Sequence, residues 1–275
     1  MSVPTKTDVP SVSRRPGVLA PATRVFAYWM TQYRRTWRGS AFTSVLEPMG
    51  YLAAMGIGLG VLVDEGPGAS RLGGVTYLEF LAPALLAAAG MQSAAGESMY
   101  PVLGAIKWHR TNYAMLAAPL RVVDVLTGHL LFVVFRIVLN LTVFLGVMFL
   151  FDAVATPWAV LAMPVAVLTG LAHATPIFAF SATQENGDGF AMVFRFAIIP
   201  MFLFSGTFFP VSQLPDWIEP IAWITPLWHG VDLCRDLALG EVGAGSATLH
   251  LLYLTAWVVG GFLLALSAFK NRLEK

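Results

Sequence analysis

AMVFRFAIIPMFLFSGTFFPVSQLPDWIEPIAWITPLWHGVDLCRDLALG, residues 191–240, decides what kind of molecule this chain is. Its first part is an apolar run as far as Phe209. Its second part carries Pro210, Pro215, Pro220 and Pro226, too many for one helix, because each proline removes a backbone donor and crowds the preceding turn. It is also too rich in Trp, Ile and Leu for a solvated loop. Such a segment is expected to fold as a pair of short helices half-sunk in a membrane face, a re-entrant hairpin over residues 210–240.

Composition agrees. Of 275 residues, 57% are hydrophobic and only 12% charged, against about a quarter charged in soluble domains. The chain lacks the polar surface to dissolve as a globule. A net charge of +1 gives no electrostatic reason to bind nucleic acid, and none is expected as a partner. The single cysteine, Cys234, excludes an internal disulfide framework and any CxxC site, and reads as a lone thiol near the outer surface. The opening MSVPTKTDVPSVSRRPG is polar with no apolar core behind it, so residues 1–22 read as a disordered cytoplasmic tail, not a cleavable leader.

A spanning helix needs about 20 mostly apolar residues, and six stretches qualify: Ala41–Val63, Tyr77–Ala95, Val122–Phe151, Trp158–Ala182, Ala191–Phe209 and Leu249–Phe269. Basic residues flank alternate ends. Arg14, Arg15, Arg24, Arg34, Arg35 and Arg38 precede the first span, Lys107, Arg110 and Arg121 separate the second from the third, and Lys270, Arg272 and Lys275 follow the last. The opposite connections carry Asp64, Glu65, Asp152, Asp216, Glu219, Asp232, Asp236 and Glu241. By the positive-inside rule both termini are cytoplasmic and Pro210–Gly240 is outside.

Ahead of the first span, TRVFAYWMTQYRRTWR (23–38) repeats Val25, Phe26, Trp29, Met30, Tyr33 and Trp37 at intervals of three and four beside arginines. That pattern predicts a basic amphipathic helix in the cytoplasmic headgroup layer. The connection 97–121 is the largest cytoplasmic one, and Ile106–Ala118 has the pattern of a short amphipathic helix: Lys107, His109 and Arg110 are polar, while Trp108, Tyr113, Met115 and Leu116 are apolar. It is a natural handle for a soluble partner, or else an interfacial loop with none.

In the third span, His129, Arg136 and Asn140 share roughly one face. A mid-bilayer charge costs at least about 2.5 kcal/mol on insertion scales, so Arg136 should face protein or water. It is either a pathway residue or a structural charge paired with Glu79 or Glu47. Gly56, Gly58 and Gly60 include a GxxxG spacing that permits close helix contact.

Several chemistries are missing. None of the four lysines follows a glycine, so there is no phosphate-cradling P-loop. No HExxH or GxSxG occurs, and the five histidines show no zinc-binding spacing, so no metal is expected. Glu185, Asn186 and Asp188 read as a solvated turn. Catalysis by this chain alone is not expected.

Two stretches carry a resemblance: WHRTNYAMLAAPLRVVDVLTGHLL (108–131) and FSGTFFPVSQLPDWIEPIAWITPLWHGVDLCR (204–235). They resemble the type-2 ABC exporter permeases, most of all the branch with nodulation-factor (lipo-oligosaccharide) and antibiotic-export permeases. The likeness covers nearly the whole chain beyond the first ~20 residues, within 23–275. It implies an all-α polytopic transmembrane domain of six helices with an N-terminal interfacial connecting helix (23–38), a cytoplasmic coupling loop (97–121) and an extracellular re-entrant hairpin (210–240).

The same resemblance implies roles. Lys107, Trp108, His109, Arg110, Tyr113 and Leu116 would contact a separate ATPase subunit, which holds the ATP and Mg; this chain would bind no cofactor. Pro210, Trp217, Trp223 and Trp228 would belong to the hairpin capping the exit. The assembly would pair two permeases, identical or paralogous, with two ATPase copies in a bacterial cytoplasmic membrane. It would move an amphiphilic lipid-, glycolipid- or drug-like cargo outward through lipid, with Met201, Phe202, Phe204 and Phe208 as apolar lining.

Two other classes remain open at this stage. An ion-driven secondary transporter predicts inverted repeats and acids at mid-depth, whereas no repeat is evident and the mid-span charge is basic. A membrane-embedded lipid-modifying enzyme predicts clustered His, Asp or Glu at one interface.

Overall fold

The computed structural model describes residues 19–66 and 74–274, which are helical with no strand among them. Residues 1–18 of the expected tail lie outside this range. Leu19–Ala22 do not belong to a tail: they begin a helix, and Ala22 is fully buried.

Helix α1 (Leu19–Tyr51) passes Gly39 and Ser40 without a break, so the predicted interfacial helix and the start of the first span form one rod. It continues through a wide π-helical turn (Leu52–Leu59) into α2 (Gly60–Asp64). The wide turn follows Pro48, whose missing N–H loosens the hydrogen-bond ladder. Helix α3 (Tyr77–Ser98) starts at a capping box: Thr76 Oγ1 accepts from the Glu79 N–H, and the Glu79 carboxylate accepts from the Thr76 N–H at 2.9 Å. The Asp64 carboxylate accepts from the Tyr77 N–H at 2.8 Å and ties α2 to the same corner.

The connection expected over 97–121 is shorter than the sequence suggested. The helical run bends at Met99 (φ −88°, ψ −91°) and goes on through α4 (Tyr100–Leu103) and a second π turn (Gly104–Trp108). A six-residue helix α5 (Thr111–Leu116) then leads into α6 (Val122–Leu150). A 3₁₀ turn (Pro157–Leu161) opens α7 (Ala162–Thr183). Next come α8 (Asp188–Val193), a third π turn (Phe194–Ile198) and α9 (Ile199–Phe204). The chain closes with α10 (Glu219–Ile224), α11 (Pro226–Leu239) and α12 (Ala244–Leu273).

Among the described residues, four helical runs are long and apolar enough to cross a bilayer: Tyr77–Trp108, Val122–Leu150, Pro157–Thr183 and Ala244–Leu273. Six were expected. The first expected span yields only a shorter apolar helix, Pro48–Asp64. The fifth stops at Ser205, where Gly206 turns the chain with φ +80°.

Helix α7 is the centre of the bundle, packed on α3 and α12, with α11 laid across α3 and α7 and α1 against α6. Glycine makes these crossings possible. A Cβ on Gly90 would lie 2.5 Å from the Ala166 carbonyl oxygen, and one on Gly170 2.8 Å from the Gly90 oxygen, so α3 and α7 meet backbone to backbone. Gly128 does the same for α6 against the Ala22 carbonyl of α1, and Gly261 lets α12 close on the Thr175 hydroxyl and Pro176 of α7. Lipid tails are as apolar as Leu, so small residues that admit close packing must hold such a bundle together. Burial falls outward: 72% of the apolar window of the α3 run is buried, against 17% in α12.

Candidate functional site

Two ends of the bundle and one membrane-level stripe hold the residues singled out from the sequence. At one end, the α3 run stops at His109 because Arg110 takes a left-handed conformation (φ +52°), rare for a residue with a Cβ. The reversal throws α5 back over the helix ends, and the Thr111 hydroxyl donates to the Ala105 carbonyl at 3.3 Å. Pro119 lies just beyond α5, and α6 begins where Arg121 forks onto Asp124, with two side-chain N–H bonds of 3.1 Å.

This geometry exposes Lys107, Trp108, His109, Arg110 and Tyr113, while Leu116 is half-buried against the core. Trp108 stacks beside Tyr100 with centroids 6.4 Å apart. Asn112, which the sequence did not mark, is fully buried, and neither amide atom finds a partner among the described residues.

Glu185, read from the sequence as solvated, joins three helix ends here. One carboxylate oxygen accepts from Lys107 Nζ at 2.5 Å and the other from the Arg272 guanidinium. The Arg272 hydrogen bond and then that of Lys107 hold the carboxyl well below its usual range, at about 2. Tyr113 donates to the Arg272 carbonyl at 3.1 Å, so α5 is fastened to the last turn of α12. The sequence signal was weak: one acid in a turn 78 residues from its lysine.

The three polar residues of α6 do share one stripe, but they do not converge. His129 is buried, stacked on Trp29 at 4.0 Å and edge-on to Phe178. Arg136 pairs with Glu97 at 2.8 Å and lies 4.7 Å over the Tyr33 ring. The partner is therefore not Glu79, which is committed to its cap, and the Glu47 side chain lies outside the described ones. Asn140 donates to the Ser93 hydroxyl at 2.6 Å.

At the other end, Thr225 caps α11, accepting from the Trp228 N–H at 3.3 Å, and Gly240 (φ +79°) ends it. Trp217 is 72% exposed and Trp223 46%, whereas Trp228 packs edge-on to His229 and His250. The two histidines are buried with their Nδ1 atoms 2.8 Å apart, and His250 Nε2 lies 3.3 Å from Asp232. One ring must donate and the other accept, and Tyr253 stacks on His229 at 3.8 Å. Cys234 is not near a surface: it is fully buried in the face of α11 that packs on α3 and α7, its thiol 3.4 Å from the Ala162 carbonyl.

Pro210 lines an open apolar cavity of about 610 Å³ with Met55, Leu59, Tyr77, Phe204 and Phe208. Met201 and Phe202 pack on the core instead. Among the described residues no three His, Cys, Asp or Glu side chains gather in a way that could hold a metal.

The sequence profile described as "ABC-2 type transporter" matches residues 23–239, from the arginine-rich start of α1 to the end of α11. The chain belongs to the ABC-2 type transporter family. Similar ABC-2 relatives include Nodulation protein J of Rhizobium leguminosarum bv. viciae, 33% identical over 90% of this chain and 95% of the relative. Nodulation protein J of Sinorhizobium fredii is 31% identical over 89% and 94%. A protein named "Probable multidrug ABC transporter permease YbhR", of Escherichia coli K12, is 30% identical over 30% of this chain and 20% of its own length. Membership makes this ABC-2 chain a transport subunit rather than an enzyme, and its apolar helices make it a multi-pass membrane protein.

Proposed function

We propose that this chain is the membrane permease subunit of an ATP-driven exporter in the bacterial cytoplasmic membrane, both termini cytoplasmic, working as a pair of permeases above two ATPase subunits. The observation that carries this reading is the exposed row Lys107, Trp108, His109, Arg110 and Tyr113. These residues sit on a sharply reversed turn and are bonded through Glu185 and Arg272 to the ends of other helices. A soluble subunit that grips this row pulls on the α3 run, the α7–α8 turn and α12 together. ATP and Mg would be held in that subunit.

In this reading the first and fifth segments, α1–α2 and α8–α9, also cross the membrane, for six spans. The segment 210–240 is the outer re-entrant hairpin, with Trp217 and Trp223 reaching headgroups. The cavity lined by Met55, Phe204 and Phe208 suits the apolar part of an amphiphilic lipid-, glycolipid- or drug-like cargo.

Trp108→Ala tests the reading in vesicles carrying the permease and its ATPase. Export is expected to fall at least about ten-fold, as when a positioned contact is lost, while membrane insertion and basal ATP hydrolysis persist. Undiminished export would reject the coupling role.

A further inference from the structure

Part of the same exposed row also lines a cleft. Lys107, Arg110, Tyr113 and Arg272 line an open cleft of about 500 Å³ together with Ile106, and Glu185 is the one acid among the described lining residues. Three cations therefore face one carboxylate. Glu185 takes a single hydrogen bond from Lys107 and one from Arg272, leaving further N–H donors on both. The ion pairs among the described residues leave Arg110 without a carboxylate. Its left-handed backbone is a strained arrangement of the kind that accompanies a binding role.

We infer that this cleft binds a phosphate group, supplied by the headgroup of an anionic phospholipid. The level is right: α12 has 30 residues, about 45 Å of helix, which matches a bilayer of roughly 40–45 Å with its headgroups. Arg272 in its last turn thus lies among lipid phosphates. Basic pockets between helix ends on the cytoplasmic side are a recurring form of anionic-lipid site. Guanidinium groups suit a phosphate because their planar forks match its oxygens in pairs.

The leaflet rests on the orientation proposed above. Binding itself does not, and it is measured without any ATPase, so its failure is distinct from a failure of coupling.

The full chain in detergent is offered phosphatidylcholine or phosphatidylglycerol, and retained lipid is counted by native mass spectrometry. Wild-type protein is expected to keep one phosphatidylglycerol and no phosphatidylcholine. Arg110→Gln and Lys107→Gln should each weaken retention about five-fold, the contribution of one basic residue near a charged headgroup. Glu185→Gln should strengthen it by a similar factor, since it removes the one acid among the described residues that line the cleft. A purely structural tie would instead loosen the site on that change.

Displacement of the lipid by millimolar inorganic phosphate supports the site and assigns it to soluble phosphate. Equal retention by wild type, Arg110→Gln and Glu185→Gln overturns the proposal. So does an absence of bound lipid together with cross-linking of Arg110 to an acidic face of the ATPase subunit, which would give the cleft to a protein.

Discussion

Changing Arg136 to Gln strands the Glu97 carboxylate between α3 and α6, and Glu97→Gln strands the guanidinium. Breaking a buried pair costs about 3–5 kcal/mol. Here the side chains keep 16% and 23% of their exposure, so about 2–3 kcal/mol per single change is the appropriate scale. The two singles are not equivalent. After Glu97→Gln, Arg136 still lies over the Tyr33 ring at 4.7 Å, a contact contributing about 0.5–1 kcal/mol, and Arg136→Gln loses that as well. Arg136→Gln should therefore be the worse by that margin.

The double change leaves two amides able to bond each other and no stranded charge, so it should be milder than either single. The coupling energy of the cycle should be at least about 2 kcal/mol. SDS-driven unfolding followed by tryptophan fluorescence measures all four proteins on one scale. Singles that add to within ~0.5 kcal/mol would mean that the pair carries no interaction worth the name and that Arg136 is held by something else.

Two further outcomes follow from other parts of the bundle. Gly90→Ala should destabilise by about 1–3 kcal/mol through overpacking, since its Cβ would lie 2.5 Å from the Ala166 oxygen, while Gly96→Ala in the same helix meets nothing within 4 Å and should be neutral or gain up to ~1 kcal/mol; the same SDS titration separates them. Asp236 is raised from an ordinary 3.8 to about 6 by burial and then by the like charge of Asp232. The folded chain thus holds a proton there that the unfolded chain has released, so stability falls as pH rises through that window. Melting temperature recorded between pH 4 and pH 7 should show a decline in wild type that Asp236→Asn flattens.

Much of this architecture was legible in apolar run length alone. Val122–Leu150 and Ala244–Leu273 are long, uninterrupted stretches, and a helix that buries its own backbone bonds is the simplest way to place such a stretch in lipid. Breaks within a helix were harder to see. Nothing in Ser98–Met99 announces a bend rather than an end, so residues 97–105 read as loop although the helix continues.

The same error hid the partner of Arg136. Glu97 seemed to lie past the end of its span, and helical periodicity reports which residues share a face, never which residue on another helix stands opposite. Glu185 was missed for a related reason: its partners, Lys107 and Arg272, come from distant parts of the chain. By contrast, the exposure of Lys107, His109 and Arg110 was readable in the amphipathic pattern of residues 106–118, whereas that pattern put Trp108 and Tyr113 on its apolar side, and only the resemblance implied that they reach the surface.

The glycine crossings limit how this protein can move. At Gly90–Gly170 the main chains lie together with almost no side-chain padding between them, and at Gly261 the α12 backbone is pressed against the Thr175 hydroxyl and the Pro176 ring. A ratchet of one helix past its neighbour would drive a methyl group into a carbonyl, so α3, α7 and α12 travel as a solid wedge. Whatever opens and shuts during turnover must hinge outside it: at the wide turn after Pro48, at the bend of Met99, or where Gly206 redirects the chain.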